Sequence, residues 1–490
     1  VPWRALPNKC QLLILASCRL SSPLSSASLL AYVFYLVKSI TTPSAEATMA
    51  QEIARTSGLL VAVYPLGQCA TSLLWGRLSD MYGRKSMLVI GLSGSILSNI
   101  CFGFSRSLGT LIFWRIIAGM ANGNVGVMRT MTAEIVKERR FQTRAFLLMP
   151  LLFKSSMVLA LALGGCLADP VVNLPGLFGP NGLVNFYGSP NGVEWAIRYP
   201  YALPVLFNAV ILGISLAFTV FGLRETLPSL KNDLTSRPHP AFSLTKLMSR
   251  CLGREVHEYT LVGPEQTTAS CAETKPLQGR VPFSTIWTRD VVANLISFAL
   301  LPLHNAAFMH IFPVYLSMQP SSSDSTPSAF SFTGGLGLTS PLIGLWLSGI
   351  GICGILLQLF LYPRLQARIG TRGCFRLALA VFPLAYCLAP YLSLLAHHSV
   401  LRWPAIAVVL LAQVWARTIA IPSSVILLHD SAPSKTVLGT VHGAGNMMAN
   451  LARAIGTVVG GYLLALGVEK NAIGIVWWCY LAVVAVLSLL

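Results

Sequence analysis

The 490-residue sequence predicts an all-α membrane protein, with twelve transmembrane helices arranged as two pseudo-symmetric six-helix bundles. Three observations predict it. The chain is 54% hydrophobic and 11% charged, with a mean hydropathy of +0.66, whereas soluble domains carry about 25% charged residues. Its apolar residues gather into twelve stretches, each about long enough to cross ~30 Å of hydrocarbon as a helix. A ten-residue motif then recurs at an offset of 287 residues, once in each half of the chain.

The stretches run roughly 12–37, 57–75, 86–105, 108–128, 145–168, 200–223, 291–318, 336–362, 374–396, 404–428, 438–466 and 472–490. Continuous apolar runs of this length point to helices. A closed barrel would show short segments of alternating polarity instead. The first stretch carries the weakest helical signal, because it contains Arg19 and a Ser-rich segment. Between the sixth and seventh, residues 224–289 hold nine Lys/Arg and six Asp/Glu with several Pro and Gly. They read as a solvated linker. The expected organisation is an N-terminal segment at 1–11, a bundle at 12–223, a linker at 224–290 and a second bundle at 291–490. Loops 169–199 and 319–335 are rich in Gly, Pro, Ser and Asn and poor in bases.

Charge sets the expected orientation. The net charge is +18, from 35 Lys+Arg against 17 Asp+Glu. A nucleic-acid binder would carry solvated basic stripes, but here the bases lie mostly between apolar runs. With the N-terminus inside, the N-terminal segment and the loops at 77–85, 129–144, 224–289, 363–376 and 429–437 hold 24 Lys/Arg. The opposite loops hold few, Lys38, Arg106, Arg198, Arg402 and Lys470 among them. Basic residues concentrate in cytosolic loops, so both termini are expected in the cytosol. Plasma and vacuolar membranes are not distinguished.

Several function classes find no support. The 11 Cys contain no CxxC pair, and Cys18, Cys101, Cys166, Cys353, Cys387 and Cys479 lie inside apolar runs. They read as small buried hydrophobes. The 8 His show no metal-ligand spacing. No HExxH or GxSxG motif and no paired aspartates suggest an intramembrane enzyme. No cofactor, metal or nucleic acid is expected.

The repeated motif is Gly76-Arg77-Leu78-Ser79-Asp80-Met81-Tyr82-Gly83-Arg84-Lys85 in the first half. In the second it is Pro363-Arg364-Leu365-Gln366-Ala367-Arg368-Ile369-Gly370-Thr371-Arg372. Arg, Leu, Gly and the final base recur in register, while Asp80 becomes Ala367. Gly83 suits a tight turn between two helices, and a carboxylate near a helix N-terminus is stabilised by ~0.3–1 kcal/mol. The alternative reading is a basic loop that only sets topology. Gly76, Leu78, Asp80, Gly83, Arg84 and Lys85 together resemble the G-x-L-x-D-x-x-G-R-K signature of the major facilitator superfamily. That resemblance implies two bundles around a central site, alternating access, and a cytosolic gate. In the gate, Asp80 would face the start of the eleventh helix near Leu438.

Further segments resemble the fungal general-substrate branch, which is close to the drug:proton antiporters and the zinc-induced-facilitator-like proteins. They are Ser105–Leu108, Asn122–Gly126, Arg129–Met131, Gly334–Leu338, Leu357–Phe360 and Gly439–Gly443. Arg115-Ile116-Ile117-Ala118-Gly119 resembles the R-x-x-x-G motif, whose arginine is buried and tied to proton coupling. The implied function is secondary active transport of small molecules, by proton-coupled efflux or general-substrate transport. A uniporter or a non-transporting substrate sensor is the alternative. The expected partners are a small-molecule substrate, the lipid bilayer and protons, with the chain acting as a monomer.

The chain also departs from that pattern. Arg19-Leu20-Ser21-Ser22-Pro23 stands where the family carries R-F-A-E-P, and Ala307-Phe308-Met309-His310 where it carries A-F-D-Q. Ala160-Leu161 stands where the antiporter signature has G-P, and Lys154 lies inside the same run. The spans therefore hold almost no carboxylates, and Glu134, Asp169, Glu225 and Asp430 fall near span ends. A proton antiporter usually needs a titratable acid at depth.

The interior candidates for substrate or coupling are Arg19, Arg115, Asn122, Lys154, His304, Arg417, His442 and Asn446. Residues 115, 119, 122, 126 and 129 would share one helix face. His304 and His310 would point about 120° apart. His442, Asn446, Asn450 and Arg453 form a polar stripe that must face protein or water. It reads equally as interhelical glue or cavity lining.

Overall fold

A computed structural model describes residues 8–41, 46–136, 139–186, 188–226, 287–320, 330, 332–398, 400–431, 433 and 438–489. Each of the twelve apolar stretches is occupied by helix. The first span is built from α1 (Lys9–Ser17), α2 (Ser21–Ser26) and α3 (Val33–Ile40), joined by tight 3₁₀ turns where the Ser-rich segment lies. Then come α4 (Glu46–Tyr82), α5 (Arg84–Gly103), α6 (Leu108–Ala121), α7 (Val125–Ile135) and α8 (Arg139–Leu167). Short helices α9 (Pro170–Asn173), α10 (Pro175–Phe178) and α11 (Glu194–Arg198) fold the loop before α12 (Ala202–Gly222). The second half contains α13 (Arg289–Ser317), α14 (Ser340–Leu356), α15 (Tyr362–Leu388), α16 (Arg402–Asp430), α17 (Leu438–Glu469) and α18 (Val483–Leu487). Among the described residues the only β-type pairing outside helices is an isolated bridge between Pro320 and Gly334.

Nine helical segments among the described residues are long and apolar enough to cross a membrane. One of them, Ser340–Leu395, is 56 residues long and covers two predicted stretches. Its reversal lies at Gly370, whose φ of 72° and ψ of 171° no helix admits. On α12, Phe207, Val210, Ile214, Phe218 and Phe221 are all exposed and fall on one helical stripe. Such a stripe is stable against lipid and costly against water.

Two seams join the halves: α4 packs along α17, and α8 along α14. Burial of apolar surface does not drive helices together in lipid, so close backbone packing at small residues has to. At the first seam a Cβ on Gly58 would lie 2.8 Å from the Thr457 carbonyl oxygen and 3.1 Å from the Gly461 Cα. At the second, a Cβ on Gly165 would lie 2.9 Å from the Gly344 Cα. Side-chain bonds also join the two halves, one of them across the second seam. Ser348 Oγ donates to the Val158 carbonyl at 2.7 Å, Tyr35 to the Leu338 carbonyl, and His310 Nε2 meets Ser57 Oγ at 3.1 Å.

These contacts all lie toward the face opposite the turns at Gly83 and Gly370, here called the far face. The apolar core is partly asymmetric in the same way. One cluster of buried side chains draws on both halves, from Leu36 and Val205 to Phe308, Leu336 and Trp477, and within the second half it runs on to Cys374 and Phe375 beside the turn. Toward the turn face the packing divides. Leu15, Leu88, Val127 and Leu212 pack within the first half, and Val291, Leu295, Leu428 and Val441 within the second.

Candidate functional site

The repeated motif forms the same turn twice. Gly83 has φ 94° and ψ 146° between α4 and α5, and Gly370 has φ 72° and ψ 171° within α15. Side chains rarely adopt this region, which accounts for glycine at both positions. Around the first turn a charge network assembles. The Glu225 carboxylate accepts from the Arg84 and Lys85 backbone N–H groups at 3.1 and 2.9 Å, closing the open N-terminus of α5. The Arg84 guanidinium is buried and pairs with Glu134 at 2.9 Å. Lys85 Nζ donates to the Val220 carbonyl at 2.8 Å. Gly76 is exposed and Leu78 half-buried. The Asp80 side chain and its expected partner near Leu438 lie outside the described side chains.

Three interior candidates are packed within single bundles. Arg115 is 3% exposed, donates to the Ser25 carbonyl, and stacks on Tyr64 and Phe102 with its Cζ 5.0 and 5.9 Å from the ring centroids. Asn122 is a node of the first bundle. Its Oδ1 accepts from Ser21 Oγ at 3.1 Å, its Nδ2 reaches Ser95 Oγ at 3.4 Å, and its carbonyl accepts from Gln68 at 3.4 Å. His304 is fully buried in the second bundle, with Nδ1 2.7 Å from the Tyr386 hydroxyl and its ring edge-on to Phe382. His310 bonds Ser57 across the seam instead, so the two histidines do serve different faces.

The expected common face from 115 to 129 is corrected. The helix breaks at Asn122–Asn124, between α6 and α7. Asn122 has a non-helical φ of −103° and ψ of 19°, because its side chain and carbonyl are taken by three other helices. Arg115 therefore points into the first bundle while Arg129, on α7, is exposed.

The remaining bases meet between the bundles. Arg19 stacks on Phe153 of α8, its Cζ 4.7 Å from the ring centroid. Lys154 is the next residue. From α16, Arg417 sets its guanidinium nitrogens 3.6 Å from Met157 Sδ on α8 and 3.4 Å from Met309 Sδ on α13. Arg453 donates to Asn450 Oδ1 at 2.7 Å on α17. Arg19 lies within electrostatic reach of Arg129 and Arg453, Lys154 of Arg417, and Arg417 of Arg453. His442 is within reach of Arg129 and sits 3.5 Å from His429. Among the described residues no carboxylate contributes to the field at Arg19, Lys154, Arg417 or Arg453.

The cluster is not sealed in the interior. Arg129 and Arg453 are exposed, and Arg19, Lys154, Arg417, His442 and Asn446 are half-buried. Among the described residues no three His, Cys, Asp or Glu gather as a metal site.

The model of the Major Facilitator Superfamily matches residues 27–338, more than half of the chain. The chain belongs to the major facilitator superfamily. It is therefore a multi-pass membrane transporter and not an enzyme. A relative in Aspergillus fumigatus, the major facilitator superfamily multidrug transporter mfsB, is 32% identical over 516 residues, covering 97% of this chain and 81% of that protein. Zinc induced facilitator 1 of Arabidopsis thaliana is 24% identical over 453 residues, covering 91% and 82%. The structure of a D-xylose-proton symporter superposes with a TM-score of 0.62 at 10% identity, covering 97% of this chain and 96% of that one.

Sequence reasoning did not connect Glu225 to the turn, or single out Arg129 and Arg453 as site residues. Glu225 lies 140 residues from Lys85, and no local periodicity links the two. For Arg453 a signal existed in the stripe from His442. For Arg129 the signal was obscured, because an unbroken helix would have aligned it with the packed Arg115.

Proposed function

We propose that this transporter moves small molecules by alternating access, with cargo held at the basic cluster between the bundles. The asymmetry of the packing carries the reading: the glycine seams and the side-chain bonds that join the halves gather on the far face, while two separate clusters near the turn face stay within single halves, with an accessible basic cluster between the bundles. Rocking one bundle against the other would part the glycine seams and bring the separate cores together. On the distribution of basic loop residues, the turn face and both termini are cytosolic. Export is the direction supported by the multidrug transporter name of the Aspergillus relative. The network of Arg84, Glu134 and Glu225 then sits where a cytosolic gate closes. The two bundles complete the cavity within one chain, so we infer a monomer.

The interior supplies bases rather than acids, so the cavity favours anionic or polar neutral cargo. Proton coupling would need an acid at depth, and among the described side chains Glu134 and Glu225 are engaged at the turn. The test is reconstitution of the full chain into vesicles with a panel of labelled organic anions and neutral dyes, followed with and without a pH gradient. Protein-dependent counterflow supports transport. Saturable binding with no counterflow for any bound compound would convert the protein to a sensor. Flux that follows the pH gradient would restore proton coupling.

A further inference from the structure

We propose that the basic cluster is a lock released by anions. The cavity takes small organic anions carrying two or more negative charges, and the carrier reorients only with one bound, so turnover is anion exchange. This deepens the alternating-access reading above and rests on it.

Three cations from three different spans meet on one short stretch of α8. Arg19 lies over Phe153, Lys154 is the next residue, and Arg417 reaches Met157 one turn on. The partners on offer are poor ones for cations. A phenyl ring gives a cation–π contact, and thioether sulfur is a weak acceptor. Arg19 Nη1 is buried and has no hydrogen-bond partner. Two further cations, Arg129 and Arg453, are exposed and within electrostatic reach of Arg19. In the open state, water and mobile ions screen this charge. Closing the turn face removes both, leaving like charges together in a medium of low dielectric. The empty cavity therefore resists closure.

A bound dianion reverses this. Carboxylate, sulfate and phosphate groups take paired N–H donors from guanidinium in charge-assisted bonds, and they neutralise the repulsion that opposed closure. Neutral or cationic cargo supplies neither effect. A proton cannot release the lock in place of an anion. Arginine does not deprotonate in proteins, so losing the proton of Lys154 would still leave Arg19 and Arg417 charged. After delivering an anion to the far side, the carrier would need another before returning, which makes the cycle an exchange.

The experiment needs no knowledge of the natural cargo. Nitroxide labels at Met81→Cys and Ile369→Cys, both exposed and one in each half's turn, report the opening of the turn face by pulsed electron resonance. The sample is the full chain in lipid nanodiscs, with native cysteines replaced. Without polyvalent anion the wild-type cluster should give one long distance. In Lys154→Gln/Arg417→Gln the short, closed population should rise by about tenfold, and Lys154→Gln alone should fall between. Citrate should raise the short population of the wild-type cluster and leave the double variant unchanged.

A wild-type cluster already populating both distances without anion would overturn the lock. So would a double variant that keeps the wild-type distribution, or a citrate effect equal in both. Gly461→Leu, which wedges the far seam, separates the two proposals. If it too fails to produce the short distance, alternating access is wrong. If it succeeds where the double variant does not, only the lock is.

Discussion

The two turns of the repeated motif have one backbone and two chemistries. At both, a glycine in a left-handed conformation reverses the chain, at Gly83 and at Gly370. Around Gly83 the environment is ionic: Glu225 closes the α5 N-terminus and Arg84 pairs with Glu134. Around Gly370 a neutral side-chain bond runs from Gln366 Nε2 to Thr371 Oγ1 at 3.0 Å. The same reversal occurs twice, but among the described residues only the first turn pairs its charges. The turn geometry is thus a folding requirement, and the ionic network is a separate addition with its own purpose.

That separation can be broken or sharpened by substitution. The largest effect is expected at Arg84→Ala, which leaves Glu134 without its partner. Breaking a buried pair costs about 3–5 kcal/mol and an exposed one at most about 1. Glu134 retains 28% side-chain exposure, so a loss of about 2 kcal/mol is expected in denaturation of the purified protein. A loss below about 0.5 kcal/mol would show the network to be ornamental.

Next come Gly83→Ala and Gly370→Ala. A side chain in this backbone region costs at least about 1 kcal/mol, so each loss is expected at about 1–1.5 kcal/mol, and the two should be equal within error. An effect at Gly83 alone would show the second turn to be free to relax, and the equivalence of the two would fail. Glu225→Gln removes a charge but keeps an acceptor at the helix N-terminus, so about 0.5–1 kcal/mol is expected. The smallest effect is expected at Thr371→Ala, within about 0.5 kcal/mol. A loss there as large as at Arg84→Ala would erase the distinction between the halves.

Much of this architecture was legible in the sequence, for identifiable reasons. A run of about twenty apolar residues has few folded outcomes, which is why helices occupy all the predicted stretches. The repeat gave away the paired turns because glycine there answers a backbone demand that does not depend on partners. The break at Asn122–Asn124 was not legible, since it is stabilised by Ser21, Gln68 and Ser95 on three other helices. The interior bases divided along the same line. Arg115 and Arg417 look alike in sequence, each a lone base in an apolar run. One packs against Tyr64 inside a bundle, the other against Met157 across a seam. Which way a helix face points is set by its neighbours.

The central claim is that the far-face seams part while the turn face closes. Asn173 Nδ2 and Ser340 Oγ lie 3.4 Å apart between the two halves on the far face, so Asn173→Cys and Ser340→Cys can be joined by a short reducible bis-thiol linker. A third thiol, at Asn450→Cys, reports access to the cavity through its reaction with a membrane-impermeant reagent. The account predicts labelling from either face when the link is reduced, and from the turn face alone once it is made. Labelling from the far face that persists at the same rate through an intact cross-link would contradict it.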